Sequence, residues 1–344
     1  MRAVVFRKHG GPEVLEYTEV PTPEPGPGEV LVKVRACALN HLDIWIRQGI
    51  PSYKIKLPHI SGCDAAGTVE RLGQGVLGFK PGDPVVLIPR LCCGACDRCR
   101  AGEDTLCAEF GIRGAATDGG YAEYTLARSR DAYPMPPDDA LSFEDAAAFP
   151  LVFMTAWHML IGRAKLQPGE TVLVHGAGSG VGHAGIQIAR HVGARVFTTT
   201  GSATKAAKAK ELGAEAVIDY SREAIDQRIN DLTGGKGVNV VLDHIGPETW
   251  EPSIKSLAKG GRLVTCGATT GPQAALDLRY VYSRQLSILG SMMGTQAEFI
   301  ELLKLVGAGK LKPIIDTVYP LKDARAAQEK MLSRAFFGKL VLAV

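Results

Sequence analysis

The sequence predicts an α/β protein of two domains, in which a β-rich domain is followed by a doubly wound parallel sheet. Three observations support this prediction. The chain has 344 residues, and a single hydrophobic core rarely serves more than about 250–300 residues. Residues 1–150 contain short valine-rich runs bounded by Gly and Pro, which are typical of strands. After about residue 152, apolar strands alternate with helical segments, which is the pattern of parallel βαβ units.

In the first half, strands are predicted over Arg2–Phe6, Glu29–Val34 and Pro84–Leu87. The segments 21–28 and 73–84 are rich in Pro and Gly and predict surface turns between these strands.

The second half predicts a longer series of elements. Strands are expected over Thr171–His175, Arg195–Thr199, Ala216–Ile218, Val238–Asp243, Arg262–Cys266 and Leu286–Gly290. Helices are expected over Gly182–Val192, Ser202–Leu212 and Ala297–Gly307, and a last strand over Lys339–Ala343. We expect the segment after residue 292 to return to the first domain.

Composition excludes several classes of function. The net charge is +3 and the sequence contains no basic run, so nothing in it indicates binding to nucleic acid or to an anionic membrane. The longest uncharged run, 146–162, is shorter than the ~20 residues of a membrane span. The N-terminus shows no secretory signal, and we therefore expect a cytoplasmic protein.

A glycine-rich loop joins the strand at 171–175 to the following helix. It fits the pattern A-x-x-G-x-G through Ala177, Gly180 and Gly182. Such a turn lets a pyrophosphate approach the backbone, and the helix that follows offers unpaired N–H groups to it. The segment therefore predicts dinucleotide binding. The loop residues expected to bind are Ala177, Gly178, Ser179, Gly180, Val181 and Gly182.

The residues at the end of the next predicted strand, 195–199, indicate which dinucleotide the protein binds. An NAD site usually has an acidic residue there, which holds the ribose 2′-hydroxyl. Here the strand ends in Thr200-Gly201-Ser202. Ser202 and Lys205 are candidates to bind a 2′-phosphate, although Lys205 is equally compatible with a solvated helix position. NADP(H) is therefore favoured over NAD(H).

Five of the eight cysteines lie between residues 92 and 107. Cys93, Cys96, Cys99 and Cys107 have the spacing of a four-thiolate zinc site, which would be structural because it leaves no open coordination position. Cys92 does not fit the spacing and is expected to be a bystander. Disulfides are the weaker interpretation for a chain without a secretory signal.

Together these features resemble the medium-chain dehydrogenase/reductase superfamily, which includes alcohol dehydrogenases and quinone oxidoreductases. The segments 62–67, 118–124 and 155–158 strengthen the resemblance. It implies a GroES-like catalytic domain at 1–152, a Rossmann domain at 153–291 and a return to the first domain at 292–344. It also implies a homodimer or homotetramer formed near the sheet edge at 286–290.

The resemblance also implies further cofactor contacts. Thr155 would touch the nicotinamide, and Tyr220 would lie near the 2′-phosphate. The other residues implied to lie beside the cofactor are Asp243, His244, Ile245, Gly267, Ala268, Ser291 and Met292.

The catalytic metal site of the alcohol dehydrogenases is matched in part. Cys37 matches the first ligand, whereas Cys63 and Asp64 stand where the family has His and Glu. The third ligand would lie near 149–151, where no side chain binds metal, and Leu39 replaces the usual proton-relaying Ser or Thr.

Two interpretations stay open. In one, Cys37, Cys63 and Asp64, with His41 or His59, bind a catalytic zinc ion in an altered way. In the other, the site works without metal, and Asn40, His41 and Asp43, with Tyr53 nearby, resemble the polar group of quinone oxidoreductases. Cys37 and Cys63 are also compatible with plain buried thiols.

Three functions are therefore considered. The first is an oxidoreductase that transfers hydride between NADP(H) and a small alcohol, aldehyde or ketone. The second is zinc-independent reduction of quinones or enones by NADPH. The third is a non-catalytic NADPH-binding protein, which would bind the cofactor and turn over no carbonyl or quinone.

Overall fold

A computed structural model describes residues 1–51, 53–137 and 140–344. The chain divides into two compact units. The first unit comprises residues 1–151 and 295–344, and the second comprises residues 152–294. Strands and helices are numbered in chain order through both units.

The first unit is built on a seven-stranded sheet with the order β16-β17-β3-β4-β5-β9, and β8 also pairs with β3. Its core is formed by valine, alanine and leucine side chains of these strands. Two small antiparallel pairs, β1–β2 and β6–β7, stand apart from this sheet. The strands are β1 Arg2–Val5, β2 Glu16–Glu19, β3 Glu29–Ala38, β4 Asp64–Leu72, β5 Pro84–Leu87, β6 Arg90–Leu91, β7 Gly111–Ile112, β8 Tyr124–Arg128, β9 Ala132–Pro134, β16 Ile315–Pro320 and β17 Lys339–Ala343.

The helices of the first unit include one, Phe143–Ala148, that packs across the central strands β3 and β4 of the sheet. They are α1 His41–Gln48, α2 Asp97–Arg100, α3 Phe143–Ala148, α10 Gln296–Gly307 and α11 Ala324–Ser333. Helix α10 begins at a capping box, in which Thr295 and Glu298 each bind the other's backbone N–H. The return of residues 295–344 places β17 directly beside β3 in an antiparallel pair.

The second unit contains a six-stranded, wholly parallel sheet with the order β12-β11-β10-β13-β14-β15. This order reverses beside β10, which is the doubly wound dinucleotide-binding topology. The strands are β10 Thr171–Val174, β11 Arg195–Thr200, β12 Ala216–Asp219, β13 Val238–Asp243, β14 Leu257–Thr265 and β15 Ser287–Gly290. The helices are α4 Pro150–Trp157, whose first two residues belong to the first unit and which continues as a π-helix over His158–Arg163, α5 Gly180–Val192, α6 Ala203–Glu211, α7 Ile225–Thr233, α8 Pro247–Ser256 and α9 Leu278–Arg284.

The predicted α/β fold class is confirmed, and the predicted elements all occur, with ends that differ by a few residues. The largest differences are in β3, which runs on from Val34 to Ala38, and in β14, which begins at Leu257 rather than Arg262. The residues by which these two strands exceed the prediction include Gly, Lys and Arg. Their weak strand preference is overridden by pairing with neighbouring strands. Among the described residues, no helix is long and apolar enough to cross a membrane.

Candidate functional site

The four-cysteine lobe lies between β6 and β7. The sulfur atoms of Cys93, Cys96, Cys99 and Cys107 all lie within 4.8 Å of one another. The distance from Cys93 Sγ is 3.9 Å to Cys99 Sγ and 3.6 Å to Cys107 Sγ. Four thiolates around a zinc ion, each at about 2.3 Å, stand at such separations. The donor set therefore fits a tetrahedral zinc ion.

Backbone groups of the lobe prepare Cys93 to bind a cation. The N–H groups of Ala95 and Cys96 donate to its sulfur at 3.4 and 3.3 Å. These hydrogen bonds favour the thiolate and lower the pKa of Cys93 to about 6.

Cys92 stands outside the cluster. Its sulfur accepts a hydrogen bond from Arg90 Nη1 at 2.7 Å, and its carbonyl oxygen accepts from Arg128 and Arg130 at 2.8 and 2.6 Å. Cys92 thus anchors the base of the lobe to three arginines, and it is not among the four grouped sulfur atoms.

A second cysteine-containing centre is buried in the first unit where α1 begins. Asn40 and Asp43 form a capping box that starts this helix: the Asn40 N–H donates to Asp43 Oδ2 at 2.8 Å. Asp43 also accepts from the Gly62 N–H at 3.2 Å and from the Tyr121 hydroxyl at 3.0 Å. The carboxylate therefore joins α1 to the segment that precedes β4.

Asn40 links this helix start to Cys63 and Asp64. Its Nδ2 donates to Cys63 Sγ at 3.2 Å and to Asp64 Oδ2 at 2.8 Å. Asp64 also accepts from the Leu151 N–H at 2.9 Å and forms an ion pair with Lys339 Nζ at 3.4 Å. Asn40 thus joins Asp43, Cys63, Asp64 and Lys339, and Asp43 adds Tyr121, so that these six residues form one connected polar network, which we call the Asn40 network.

Burial controls the protonation of this centre. It raises the pKa of Asp43 to about 6, although the hydrogen bonds from Asn40 and Tyr121 oppose the shift. It also raises the pKa of Asp64, against the lowering effect of Lys339. The pKa values of Cys37 and Cys63 rise well above the ordinary value for a thiol for the same reason.

Cys37 is enclosed rather than open to a ligand. A Cβ atom built on Gly62 would lie 2.8 Å from its sulfur, and one on Gly120 would lie 2.9 Å from it. The side chain is fully buried and belongs to the hydrophobic core of the first unit. The glycines on both sides allow the backbone to close around the thiol.

The structure does not bring the predicted second metal site together. His59 is directed away: its Nε2 lies 2.9 Å from Gly114 O and its Nδ1 lies 3.3 Å from Asp118. His41 is exposed and packs edge-on against Trp45. Within residues 1–51, 53–137 and 140–344, the lobe alone gathers three or more metal-binding side chains. Cys37, Cys63 and Asp64, with either histidine, therefore do not fit a catalytic zinc ion.

Tyr53 is the remaining predicted residue of the first unit. Its side chain is partly buried. Partial burial raises the pKa of Tyr53, and a negative charge on Cys63 would raise it further, so the phenol keeps its proton at neutral pH. It is therefore a hydrogen-bond donor available to an oxygen atom.

In the second unit, the glycine loop follows β10 as predicted. Ser179 caps α5, because its hydroxyl accepts from the Gly182 N–H at 2.8 Å. A Cβ atom on Gly182 would lie 2.1 Å from the carbonyl oxygen of Gly176, so only glycine allows this turn. The helix N-terminus is left facing the loop, where its N–H groups can bind a pyrophosphate.

Lys205 and Tyr220 border this loop. The aliphatic part of Lys205 lies against Gly178, since a Cβ atom there would meet its Cδ at 2.8 Å. The Tyr220 ring lies over Gly201, where a Cβ atom would meet it at 2.9 Å. Ser202 is the N-cap of α6, and Thr200 ends β11. The lysine thus lies against the glycine loop, and the tyrosine ring lies against the residue that follows β11.

Asp243, which is predicted to lie beside the cofactor, binds groups of the turn that follows it and of α8. Its carboxylate is buried and accepts from the N–H groups of Ile245 and Gly246 at 2.8 and 3.0 Å, and from the hydroxyls of Thr249 and Ser253 at 2.7 and 3.2 Å. These hydrogen bonds therefore fix the conformation of the turn that follows β13. This turn carries His244, whose Nε2 lies 2.9 Å from Ser179 Oγ.

The other predicted cofactor residues have varied exposure. Thr155 is buried on α4, and Met292 is 44% exposed. A Cβ atom on Gly267 would lie 3.0 Å from His244 O, and Ala268 packs against Gly246. The Ser291 N–H donates to Thr265 O at 2.9 Å beyond the end of β15.

Comparisons with known proteins agree with this architecture. Residues 26–137 match the alcohol dehydrogenase GroES-like domain, and residues 180–308 match the zinc-binding dehydrogenase family. A quinone oxidoreductase of Salmonella typhimurium is 34% identical over 98% of both chains. An alcohol dehydrogenase of Geobacillus stearothermophilus is 34% identical over the full length of both. The chain belongs to the medium-chain dehydrogenase/reductase superfamily.

A solved structure supports the assignment of this superfamily to the whole chain. The crystal structure of an NAD-dependent alcohol dehydrogenase is 48% identical, covers 100% of both chains and superposes with a TM-score of 0.96. The protein is thus an oxidoreductase of the medium-chain type.

Sequence reasoning missed two members of the Asn40 network, Lys339 and Tyr121. Lys339 is the only charged residue in the run 336–344, which is otherwise apolar apart from a glycine. A lysine inside such a strand is a signal of a buried partner. Its partner could not be named, because Asp64 lies 275 residues earlier in the chain.

Proposed function

We propose that this medium-chain oxidoreductase reduces quinones or enones with NADPH and uses no catalytic metal, and that its zinc is structural. The observation that carries the proposal is the state of Asp64. This carboxylate, which stands where the alcohol dehydrogenases have the Glu that follows a metal-binding His, already accepts from Asn40, Leu151 and Lys339. A zinc ion there would also need a third ligand, which the described residues do not provide.

The cofactor would be bound by the second unit. The loop at 176–182 and the N-terminus of α5 would hold the pyrophosphate. Lys205, Ser202 and Tyr220 would hold the 2′-phosphate, and Thr155 would touch the nicotinamide. When bound, NADPH supplies a hydride and is itself oxidised to NADP⁺.

The first unit would supply the proton that the reduction requires. A quinone gains a hydride and a proton to become a hydroquinone, and an enone gains them across its C=C bond. The protonated Tyr53 hydroxyl is the donor that we assign to the substrate oxygen. The Asn40 network holds Cys63 and the start of α1 in place.

A panel of substrates tests this proposal. We expect purified enzyme with NADPH to reduce 1,4-benzoquinone and an α,β-unsaturated ketone, and we expect elemental analysis to find a single zinc ion per chain. Turnover should persist after dialysis against a chelator strong enough to remove a catalytic metal. Activity that disappears on chelation and returns with zinc would contradict the proposal.

The choice of cofactor is tested with Lys205. Lys205→Ala removes a charge from the predicted 2′-phosphate site, and a hydrogen bond to a charged group is worth about 1.5–3 kcal/mol. We therefore expect the KM for NADPH to rise about 10- to 100-fold, with little change for NADH. Lys210→Ala, on the same helix, is the control. Equal effects on both cofactors would argue against NADPH.

Alcohol oxidation is the second candidate, because the structure that is 48% identical is named an NAD-dependent alcohol dehydrogenase. Steady oxidation of a primary or secondary alcohol with NAD, together with two zinc ions per chain, would favour this candidate over quinone or enone reduction.

A further inference from the structure

A buried histidine of the second unit adjoins the glycine loop and has no part in the proposed reaction. His175 follows β10 and precedes Gly176, the first residue of the loop. Its side chain is fully buried. Its Nε2 lies 2.8 Å from Ser253 Oγ, and its Nδ1 lies 3.3 Å from Thr199 Oγ1. Both ring nitrogens therefore have a partner, and both partners are hydroxyl groups.

The hydrogen bonds continue beyond both hydroxyl groups. Ser253 Oγ lies 3.2 Å from Asp243 Oδ2, and Thr199 Oγ1 accepts from the Gly176 N–H at 3.0 Å. The carbonyl oxygen of Thr199 accepts from the Ala177 N–H at 2.9 Å. These contacts form one buried series that ends on the first peptide groups of the glycine loop. We call it the His175 link, and its members are Asp243, Ser253, His175 and Thr199.

One carboxylate fixes the direction of every hydrogen bond in the link. An ionised carboxylate only accepts, so the Ser253 hydroxyl donates its single hydrogen to Asp243. The Ser253 oxygen then accepts from His175 Nε2, which carries the ring proton. Burial lowers the pKa of His175 although the charge of Asp243 opposes the shift, so the ring is neutral at pH 7. Nδ1 therefore accepts from the Thr199 hydroxyl, whose oxygen accepts from the Gly176 N–H.

This order of donors holds the glycine loop at its first residue. The carbonyl oxygen of Gly176 accepts from the Ser179 N–H at 2.9 Å, so the position of Gly176 also affects the start of α5. Ser179 is held a second time, by His244 in the turn that Asp243 stabilises. The loop is thus connected at both ends to the residues around Asp243.

We propose that His175 is a positioning residue of the dinucleotide site: it connects Asp243 to the glycine loop and holds the loop in the conformation that binds the pyrophosphate. The inference rests on the proposed function, because it assigns this loop to a dinucleotide. The ring of His175 is enclosed, so it acts through Thr199 and not on the cofactor itself. A loop that is ordered before its ligand arrives loses less entropy on binding. Loss of the link should therefore weaken cofactor binding and leave kcat at saturating cofactor unchanged.

The test compares two neighbouring threonines of β11 in the full-length enzyme. Thr199→Val removes the hydroxyl of the link. Thr198→Val is the matched control, because its hydroxyl is equally buried and donates to Val174 O at 2.7 Å, outside the link. We expect the Kd for NADPH, measured by fluorescence titration, to rise about 5- to 50-fold in Thr199→Val, as for a buried donor left unpaired. In Thr198→Val it should stay within about twofold of the original value, since no group of the loop loses its partner.

A double variant tests whether His175 acts through Thr199. His175→Leu should weaken the binding of NADPH about as much as Thr199→Val does. His175→Leu/Thr199→Val should bind no more weakly than the weaker single variant, because changes within one hydrogen-bond network do not add. NADH should lose affinity by the same factor as NADPH, since both contain the pyrophosphate. This pattern differs from that of Lys205→Ala, for which only NADPH is expected to be affected.

The outcomes separate the two proposals. If the unaltered enzyme binds NADPH and Thr199→Val binds it as tightly as Thr198→Val does, the role of His175 is refuted and the proposed function stands. Losses that multiply in the double variant would also refute this role, since the two residues would then act separately. An enzyme that binds only NADH and oxidises alcohols would contradict the proposed function, and the same comparison with NADH would still decide the role of His175.

Discussion

The two cysteine-containing regions of the first unit differ in how the negative charge of their metal-binding side chains is balanced. In the lobe, four thiols are grouped on a short loop and three of them are only partly buried. In the buried centre around the Asn40 network, Cys37 and Cys63 are fully buried, and the Asp64 carboxylate is neutralised by Lys339. Both regions contain residues that bind metals, and only the lobe has them close enough to do so.

This difference shows what decides between a metal site and a charge-paired core. A cluster of thiolates repels itself and needs a cation from outside the chain. An aspartate beside a buried lysine already has its cation from inside the chain. The two regions should therefore respond differently to mutation and to pH.

The largest effect is expected in the lobe. Cys107→Ser removes one of four ligands, and we expect the purified variant to have lost its zinc, because a structural site needs its complete ligand set. Elemental analysis measures the loss, and thermal unfolding should show a lower Tm. Cys92→Ser is the control, since Cys92 is bound to Arg90 and lies outside the cluster. Equal loss of zinc in both variants would contradict a zinc site that includes Cys107 and excludes Cys92.

The next effect concerns the buried ion pair. Asp64→Asn leaves the Lys339 ammonium buried without its carboxylate, and breaking a buried pair costs about 3–5 kcal/mol. Unfolding in urea should show this decrease in the free energy of unfolding. Asp316→Asn breaks the more exposed pair with Lys330, for which about 1 kcal/mol is expected. Similar losses would mean that Asp64 and Lys339 are not paired as described.

The smallest effect is a pH dependence of stability. The pKa of Asp43 is raised to about 6 in the folded protein, against about 3.9 in an unfolded chain. The folded state therefore holds this proton more tightly, and the resulting stabilisation is complete below about pH 4 and lost as the pH rises through about 6. The change is about 3 kcal/mol at most.

Asp43→Asn should remove this slope, and urea unfolding of both proteins between pH 4 and 7 measures it. The lobe is expected to change in the opposite sense, since acid protonates thiolates and releases zinc. If the difference in stability between the variant and the original enzyme does not vary with pH, Asp43 is not the titrating group.

Much of the fold and part of the candidate site could be predicted from the sequence. The alternation of strand and helix after residue 152 determines a parallel sheet almost by itself, and the glycine loop lies within one such unit. The four lobe cysteines are close in sequence, so their spacing alone predicts that they meet. Features that depend on residues close together in the sequence could therefore be predicted.

The Asn40 network was less accessible because its members come from distant segments. Asn40, Cys63 and Asp64 could be named as candidates, but not the directions of their side chains. His59 looked like a possible ligand and is instead held by Gly114 and Asp118. Lys339 decides the charge of the centre, and only the pairing of β17 with β3 brings it there.

The position of β17 in the sheet has a consequence for synthesis of the protein. Strand β3 pairs with β17, and Lys339 lies 275 residues after Asp64. During translation, the first unit must therefore wait until nearly the whole chain has left the ribosome before its central sheet and its polar network close. A nascent chain that ends before residue 339 exposes an open strand edge and an uncompensated aspartate. Such fragments should depend on chaperones until the last strand arrives.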